Sequence, residues 1–401
     1  MGEMNKNYIL ALMASMFFLG LAATDIYITT LPALVRDFNT TPNIVNMTIS
    51  VYTIGGGVFV LFADLFSCRY GRRPVILISI AVFTLSSFLI SISTSIYLII
   101  ILRFGQSAIA FVFIVSRQVL KDIMNQREQV RANGIILSGL VVSPAIAPVI
   151  GAYLSHHFGW RSCFVFIGIV GLILLFIAFK ILPETNSNRL PALPKIGKYT
   201  LKYVVLLKNK FFLAITLIYV SATGAFFAFI GISSYLFIDN LGITPINYSY
   251  IYILMAVAYL IGNQYMLFLN RAETQYNKII AIGVFSTFAG ALIIFAAKAF
   301  VLPVIVVILI TLGSMFMRAA NALTNPTTQV ITINHFKSKG GIALGVAMSI
   351  NSIMMGIAVT LVTLFHSDPL EGLIIISLLF AIIGLIAFYM VKSKIENEPI
   401  K

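Results

Sequence analysis

The stretch YILALMASMFFLGLAATDIYITTL, residues 8–31, decides the class of this chain. At 1.5 Å per residue a helix of this length crosses a hydrocarbon core of about 30 Å. Apart from tyrosine its one ionisable side chain is Asp25. A charge near the bilayer centre costs roughly 3 kcal/mol or more, so an acid in such a segment calls for a reason. The segment is longer than the apolar part of a cleaved signal and lacks a small-x-small cleavage site. Many similar segments follow it, so it reads as a retained first span.

The whole 401-residue chain repeats this texture. It is 60% hydrophobic and 10% charged, against about 25% charged in a soluble domain. Glycine, proline and charge clusters cut it into about twelve apolar spans: 8–30, 45–66, 74–93, 96–117, 133–154, 162–182, 211–238, 247–269, 277–297, 301–325, 340–365 and 370–391. The net charge of +14 is unevenly placed. Arg69, Arg72 and Arg73, then Lys121, Arg127 and Arg131, fall in loops on one side. Lys180, Arg189, Lys195, Lys198, Lys202, Lys208 and Lys210, then Arg271 and Lys278, Lys337 and Lys339, and the tail lysines follow on that side if the spans alternate. The other side holds Arg36, Arg161 and Lys298. This positive-inside pattern puts both termini in the cytoplasm and accounts for the charge without a nucleic-acid partner. Two cysteines, Cys68 and Cys163, are too few for a disulfide framework and read as free thiols.

The most polar segment, 183–210, separates an N-terminal six-helix bundle, 1–182, from a C-terminal one, 211–401. Duplicated halves are common in secondary carriers, with the substrate site near the midplane where the repeats meet. The expected fold is therefore an all-α membrane protein of twelve transmembrane helices in two pseudo-symmetric six-helix bundles.

Three polar groups lie inside spans. Asp25 is in the first. In the fourth, Arg103, Gln106 and Arg117 share one helix face at about 100° per residue. In the tenth, Arg318, Asn321, Asn325 and Thr328 follow i, i+3, i+7 and i+10, again one face. Lipid cannot solvate such faces, so they are expected to line a protein or water-filled interior. Arg117 is also close enough to a span end to snorkel, and Asn321 and Asn325 also suit interhelical hydrogen bonding. A carboxyl suits proton exchange because burial raises its pKa towards neutrality while a nearby cation lowers it. If proton and substrate compete for Asp25, their movements are coupled.

Several motifs together resemble the major facilitator superfamily, and within it the Bcr/CflA-type drug/proton antiporters. GRRP at 71–74 resembles the superfamily's loop between spans two and three. LRFGQSAIAFVFIVSRQVLKD, 102–122, resembles the subfamily's fourth span, with Arg103, Gln106, Arg117 and Asp122 at its marked positions. TDIYITTLPAL, 24–34, resembles its first-span TD-x-Y pattern, giving Asp25 and Tyr27. SPAIAPVIGAYLSHHFGWRSCFVF, 143–166, resembles its fifth span, with Ala147, Pro148 and Gly151 in the antiporter motif, and LPET at 182–185 also fits. The chain departs from the loop motif in carrying Asp64 and Cys68 where a glycine and an aspartate are usual. Thr29 replaces a proline common after TD-x-Y.

The resemblance implies a proton-coupled secondary transporter of a bacterial inner membrane, exporting drugs or other small amphipathic compounds by alternating access. It implies no cofactor beyond the proton gradient, a small-molecule substrate, the lipid bilayer as surroundings, and a monomer. The alternative is a carrier of an anionic metabolite such as a polycarboxylate siderophore, favoured by three buried arginines against one acid. Asp25 is the expected proton-coupling residue. Expected substrate contacts are Tyr27, Arg103, Gln106 and Arg117 in the first half. In the second half they are Phe226, Phe227, Phe229, Tyr235, Arg318, Asn321, Asn325, Met348, Asn351 and Met355. Aromatic and methionine surfaces suit varied apolar ligands, although each of these side chains also suits plain helix packing. Expected gating residues are Asp64, Arg69, Gly71, Arg72, Arg73, Asp122, Pro148 and Gly151. No Walker loop, nucleophile elbow or HExxH appears, so an enzyme is not expected. His156 and His157 are adjacent, and one helix cannot point both at one metal, so none is expected.

Overall fold

A computed structural model describes residues 3–186, 189 and 203–396, and among these every regular element is helical. The expected connection 183–210 falls largely on 187–188 and 190–202, which lie outside the described residues. Eleven helices are long and apolar enough to cross a membrane. The remaining expected span, 133–154, lies inside the continuous helix Gln126–Phe158, several of whose side chains are not described. The all-α membrane architecture read from the sequence is therefore the architecture observed. The chain divides into two compact units, Met1–Ile196 and Gly197–Lys401.

In the first unit the first span is not one helix. Helix α1, Glu3–Asp25, stops at the acid, and the chain continues through a 3-10 turn, Ile28–Thr30, into α2, Leu31–Asp37. Pro32 stands in the first turn of α2, where its missing N–H costs nothing and its fixed φ suits a helix start. Then come α3, Pro42–Tyr70, and α4, Arg72–Ile92, separated by Gly71 alone. Gly71 has φ +98°, a conformation L side chains rarely adopt, and it turns the chain between the two helices. The fourth span is α5, Ile96–Gln106, and α6, Ala110–Ile123, joined by a 3-10 turn at Ser107–Ile109. Helix α7, Gln126–Phe158, starts on a reciprocal Asn125–Glu128 capping box and carries Pro144 and Pro148 in its interior. Helix α8, Arg161–Ile181, completes the unit. Helix α1 packs against α6, α7 and α8, and α3 packs against α5 and α6.

The second unit comprises α9, Lys210–Ser234; α10, Pro245–Arg271; α11, Tyr276–Ala296; α12, Pro303–Phe336; α13, Gly340–Thr363; and α14, Pro369–Glu396. Helix α9 is its hub, packed against α12, α13 and α14, and it is buried along its length before widening into a π-helical turn at Tyr235–Asn240. Ile215, Ile218, Ile280, Val284, Ile331 and Phe388 form one of its apolar cores.

Polarity is arranged inside out relative to a soluble protein. Ile101, Phe176, Phe179 and Ile386 stand exposed, while Arg103, Gln106, Asn321 and Thr328 are buried. Surfaces of this kind fit a hydrocarbon surrounding, with the polar helix faces turned into protein.

Candidate functional site

The first unit is built around the break in its first span. Where a helix stops, its last carbonyls lose their partners and must be satisfied otherwise when buried. At the end of α1, Ala22 O accepts from the Ile26 N–H at 2.9 Å. Ala23 O accepts from Arg103 Nη1 at 3.0 Å, and Arg103 Nε donates to Thr48 O at 3.1 Å. A cation is also favoured by the negative end of the helix dipole. Arg103 is fully buried, donates further to Gln106 Oε1, and lies 4.8 Å and 4.2 Å from the ring centroids of Tyr27 and Tyr52. Its Nη2 is also buried, with no hydrogen-bond partner among the described residues. Gln106 is oriented by donating from Nε2 to Ser87 Oγ at 2.8 Å. Tyr27 and Thr48 share a hydroxyl–hydroxyl hydrogen bond of 2.9 Å, and Tyr52 OH donates to Gly20 O at 2.6 Å.

Asp25, 9% exposed, sits at the break, and Ser143 Oγ of α7 donates to its Oδ2 at 2.7 Å. Gly151 lets α7 approach here: a Cβ at this position would lie 1.5 Å from Ile26 O. The acid with its Ser143 donor and the Arg103 guanidinium on Ala23 O thus both stand at the end of α1 inside an apolar bundle.

Of the expected contacts in this unit, Tyr27, Arg103 and Gln106 lie around that helix end and expose essentially no surface in this conformation. Arg117 is half-buried, and the 3-10 turn at Ser107–Ile109 lies between it and Gln106, so the fourth span is not the single helix on which their shared face was counted.

At the arginine-rich end of the unit, Arg69, Arg72 and Arg73 lie around the Gly71 turn. Arg72 forms an ion pair with Asp122, and its Nη1 donates to Thr185 Oγ1 at 3.2 Å. The N–H of Arg72 donates to Glu184 Oε1 at 3.0 Å, so a carboxylate caps the start of α4, and Arg189 pairs with Glu184 at 3.1 Å. Asn186 Nδ2 donates to Ser67 O at 3.1 Å, holding the segment after LPET against the end of α3. Asp64 Oδ1 accepts from Gln118 Nε2 at 2.8 Å and is 3.7 Å from Cys68 Sγ. Arg73 donates to Phe179 O at 2.7 Å, and Arg69 lies 6.0 Å from the Tyr70 ring centroid. Pro148 and Gly151 are on α7, at the α1 break rather than at this end.

In the second unit, Arg318 of α12 is half-buried between two rings, its guanidinium carbon 4.7 Å from the centroids of both Phe226 and Tyr259. One turn on, Asn321 Nδ2 donates to Ala222 O and Met317 O, each at 3.2 Å, and its Oδ1 accepts from Thr223 Oγ1 at 2.9 Å. Asn325 Nδ2 donates to Asn321 Oδ1 at 3.3 Å. This ladder ties α12 to α9 and sets the height of Arg318. Phe226 and Phe229 stack at 6.0 Å, but Phe229 is fully buried against Phe237 and Tyr252, and Tyr235 is also buried. Those two side chains and Phe226 stand in the core, while Phe227, Met348 and Met355 are half-buried. Asn351 Nδ2 lies 3.4 Å from Met355 Sδ.

Sequence reading did not single out Ser143, Tyr52, Tyr259 or Ser87, and gave Glu184 no role. Ser143 opens the quoted fifth-span motif and Glu184 lies within LPET, so position was legible there without the contact. Among the described residues no group of three or more His, Cys, Asp or Glu side chains is arranged to hold a metal.

Residues 12–359 match the family model described as Major Facilitator Superfamily. An uncharacterized transporter of Rickettsia felis is 24% identical over 94% of both chains. The bicyclomycin resistance protein homolog of Haemophilus influenzae is 26% identical over 64% of this chain and 66% of its own length. Multidrug resistance protein D of Escherichia coli is 27% identical over 65% of each. Among solved structures, a bacterial homolog of the human lysosomal transporter Spinster, inward-facing, superposes with a TM-score of 0.75 at 13% identity over 98% of each chain. The xylose transporter XylE gives 0.72 at 12% identity, again over 98% of each. These two share the fold. The Bcr/CflA-type resemblance drawn from the motifs agrees with the named relatives. A chain matched over most of its length by this model, and helical throughout its described elements, belongs to the Major Facilitator Superfamily of membrane transporters.

Proposed function

We propose that this chain is a proton-coupled exporter of drugs or other small amphipathic compounds, working by alternating access in a bacterial inner membrane with both termini in the cytoplasm. The observation that carries the reading is Asp25 at the break of its own helix, hydrogen-bonded by Ser143 and close to the α1 end that Arg103 caps. Protonating the carboxylate removes a charge from that helix end. It also makes the group a donor as well as an acceptor, so its hydrogen bonds must rearrange. Because α1 has no through-going backbone ladder at this point, the two pieces of the span can respond to the change separately. The names of the Haemophilus and Escherichia relatives support a drug substrate.

In the second unit Arg318 offers a substrate a guanidinium already flanked by Phe226 and Tyr259. Half-buried Phe227, Met348 and Met355 supply adaptable apolar surface. Such a set tolerates varied amphipathic ligands and disfavours strongly cationic ones. The proton gradient is the only energy source required, and the working unit is the monomer.

The test is a transport screen in proteoliposomes of defined orientation, with and without an imposed pH gradient. It compares lipophilic cations, phenicol- and quinolone-like drugs, and carboxylate siderophores. Gradient-driven movement of a neutral or zwitterionic drug is the expected result. Movement of every class at the same rate with and without the gradient would refute proton coupling.

A further inference from the structure

Asp25 is 9% exposed, and Tyr27, Arg103 and Gln106 are fully buried. A proton or a ligand reaches them only after some part of the chain moves. The short piece that follows the break in the first span is built to be that part. Helix α2 has seven residues. Before it stands the 3-10 turn Ile28–Thr30, and after it Asn39 takes φ +45°, a left-handed conformation that asparagine tolerates at a helix end. The chain can therefore bend at both ends of α2 without breaking a helical ladder. Helix α2 packs chiefly on α3, while beside it α4 lies along α8 as a firmer frame.

One set of side chains ties α2 to that frame. Asp37, the last residue of α2, accepts at Oδ2 from Trp160 Nε1 at 2.7 Å and from Arg161 Nη1 at 3.4 Å. Arg161 also donates from Nη2 to Ser93 O at 3.3 Å, just past the end of α4, and its guanidinium carbon lies 4.4 Å from the Trp160 ring centroid. Phe38 packs on the same indole at 5.7 Å. The Asp37 and Arg161 side chains are both reached by water, where an ion pair adds little. The hydrogen bond from the buried indole to the carboxylate is therefore the stronger link.

This set also touches the buried site. One turn into α8, Phe164 meets Trp160 edge to face at 6.1 Å and meets the Tyr27 ring at 5.2 Å. Trp160 thus braces α2 at its far end directly and at its near end through Phe164.

We propose that α2 is a hinged gate over the break in the first span, and that Asp37, Trp160 and Arg161 form the latch that holds it shut in this conformation. The latch stands on these contacts, while its role as a gate rests on the reading of Asp25 and Arg103 as the proton and substrate site.

The test needs neither substrate nor gradient, so a failure of proton-driven transport would count against that reading and leave the latch to be decided separately. Cys163, 0% exposed, shares one face of the first turn of α8 with Trp160 and Phe164. Thr29→Cys adds a thiol in the 3-10 turn, where Thr29 is 2% exposed and its hydroxyl has no hydrogen-bond partner among the described residues. Cys68, at the opposite end of α3, is the control. The full-length Thr29→Cys protein in detergent is treated with N-ethylmaleimide, and labelling at each position is followed by peptide mass spectrometry. Adding Asp37→Ala is expected to speed labelling at positions 29 and 163 about tenfold, the shift that loss of one hydrogen bond to a charged group gives, and to leave Cys68 unchanged. Emission from Trp160, the single tryptophan, should move to longer wavelength. Asp37→Asn keeps an acceptor for the indole and should label close to the parent rate. Trp160→Phe removes the donor but keeps a ring, and it should speed labelling as Asp37→Ala does, which keeps the test available if that variant fails to fold. Unchanged rates at positions 29 and 163 in a folded latch variant would overturn the proposal. An equal acceleration at Cys68, the mark of general loosening, would overturn it too.

Discussion

Gly151 tests how tightly the structure couples the fifth span to the break in the first. A Cβ there would sit 1.5 Å from the carbonyl oxygen of Ile26. The obstacle is backbone, so no side chain can swing aside, and α7 must retreat by about 2 Å to reach ordinary van der Waals contact. Ser143, two turns earlier on α7, donates to Asp25 at 2.7 Å. A retreat of that size carries the pair beyond the range of a hydrogen bond. Overpacking costs about 1–3 kcal/mol and loss of a hydrogen bond to a charged group about 1.5–3 kcal/mol, so Gly151→Ala is expected to destabilise by about 2.5–6 kcal/mol. Gly134→Ala is the control on the same helix, because a Cβ there meets nothing within 4 Å. Removing glycine from a helix stabilises by about 0.5–1 kcal/mol. The assay is thermal unfolding in detergent followed by intrinsic fluorescence, with proton-driven uptake measured in proteoliposomes. Gly151→Ala should unfold well below the parent and lose driven transport, while Gly134→Ala should unfold at or above it and keep transport. If the two variants unfolded alike, the close approach of α7 to Ile26 would be refuted.

Three other substitutions probe separate contacts. Arg103→Lys keeps the charge but cannot reach Ala23 O, Thr48 O and Gln106 together, so it should cost about 3 kcal/mol in unfolding free energy; parent-like melting would argue against its role as the cap of α1. Arg318→Ala should weaken binding of anionic compounds more than cationic ones in equilibrium binding assays, whereas equal losses would argue against charge recognition at α12. The Glu128 carboxyl is held below its ordinary range first by the Asn125 N–H and then by Lys6. Its folded pKa is therefore depressed, and the stability it contributes is present above the ordinary glutamate value and lost as pH falls through the folded one. Glu128→Gln should narrow the difference in melting temperature between neutral and acidic pH; an unchanged difference would show that the capping box does not titrate with unfolding.

Much of the architecture was legible because it rests on length and hydropathy. Apolar runs as long as 8–31 leave few alternatives to spanning helices, and the helices are where those runs predict them. What the pattern concealed were interruptions inside runs. Periodicity treats 8–30 as one helix, yet α1 stops at Asp25, since a buried arginine from another helix satisfies the carbonyl that the break exposes. Likewise the 3-10 turn at Ser107–Ile109 divides the fourth span without a proline to mark it. The site was legible as a set of residue types that lipid cannot solvate, namely Asp25, Arg103, Gln106, Arg318 and Asn321. Their partners were not, because Ser143, Tyr52 and Tyr259 are unremarkable in sequence and matter only through distance. Phe229 and Tyr235 lie in an aromatic-rich stretch that reads equally as cavity wall or core, and packing against Phe237 and Tyr252 places Phe229 in the core.

Asp25→Asn, reconstituted and assayed for both substrate counterflow and uptake driven by an imposed pH gradient, is the most direct test of proton coupling through this acid. Asparagine preserves the size of the side chain and an acceptor for Ser143 but cannot exchange a proton. Counterflow retained with gradient-driven accumulation abolished is the predicted result. Accumulation at the parent's level under the same gradient would contradict it.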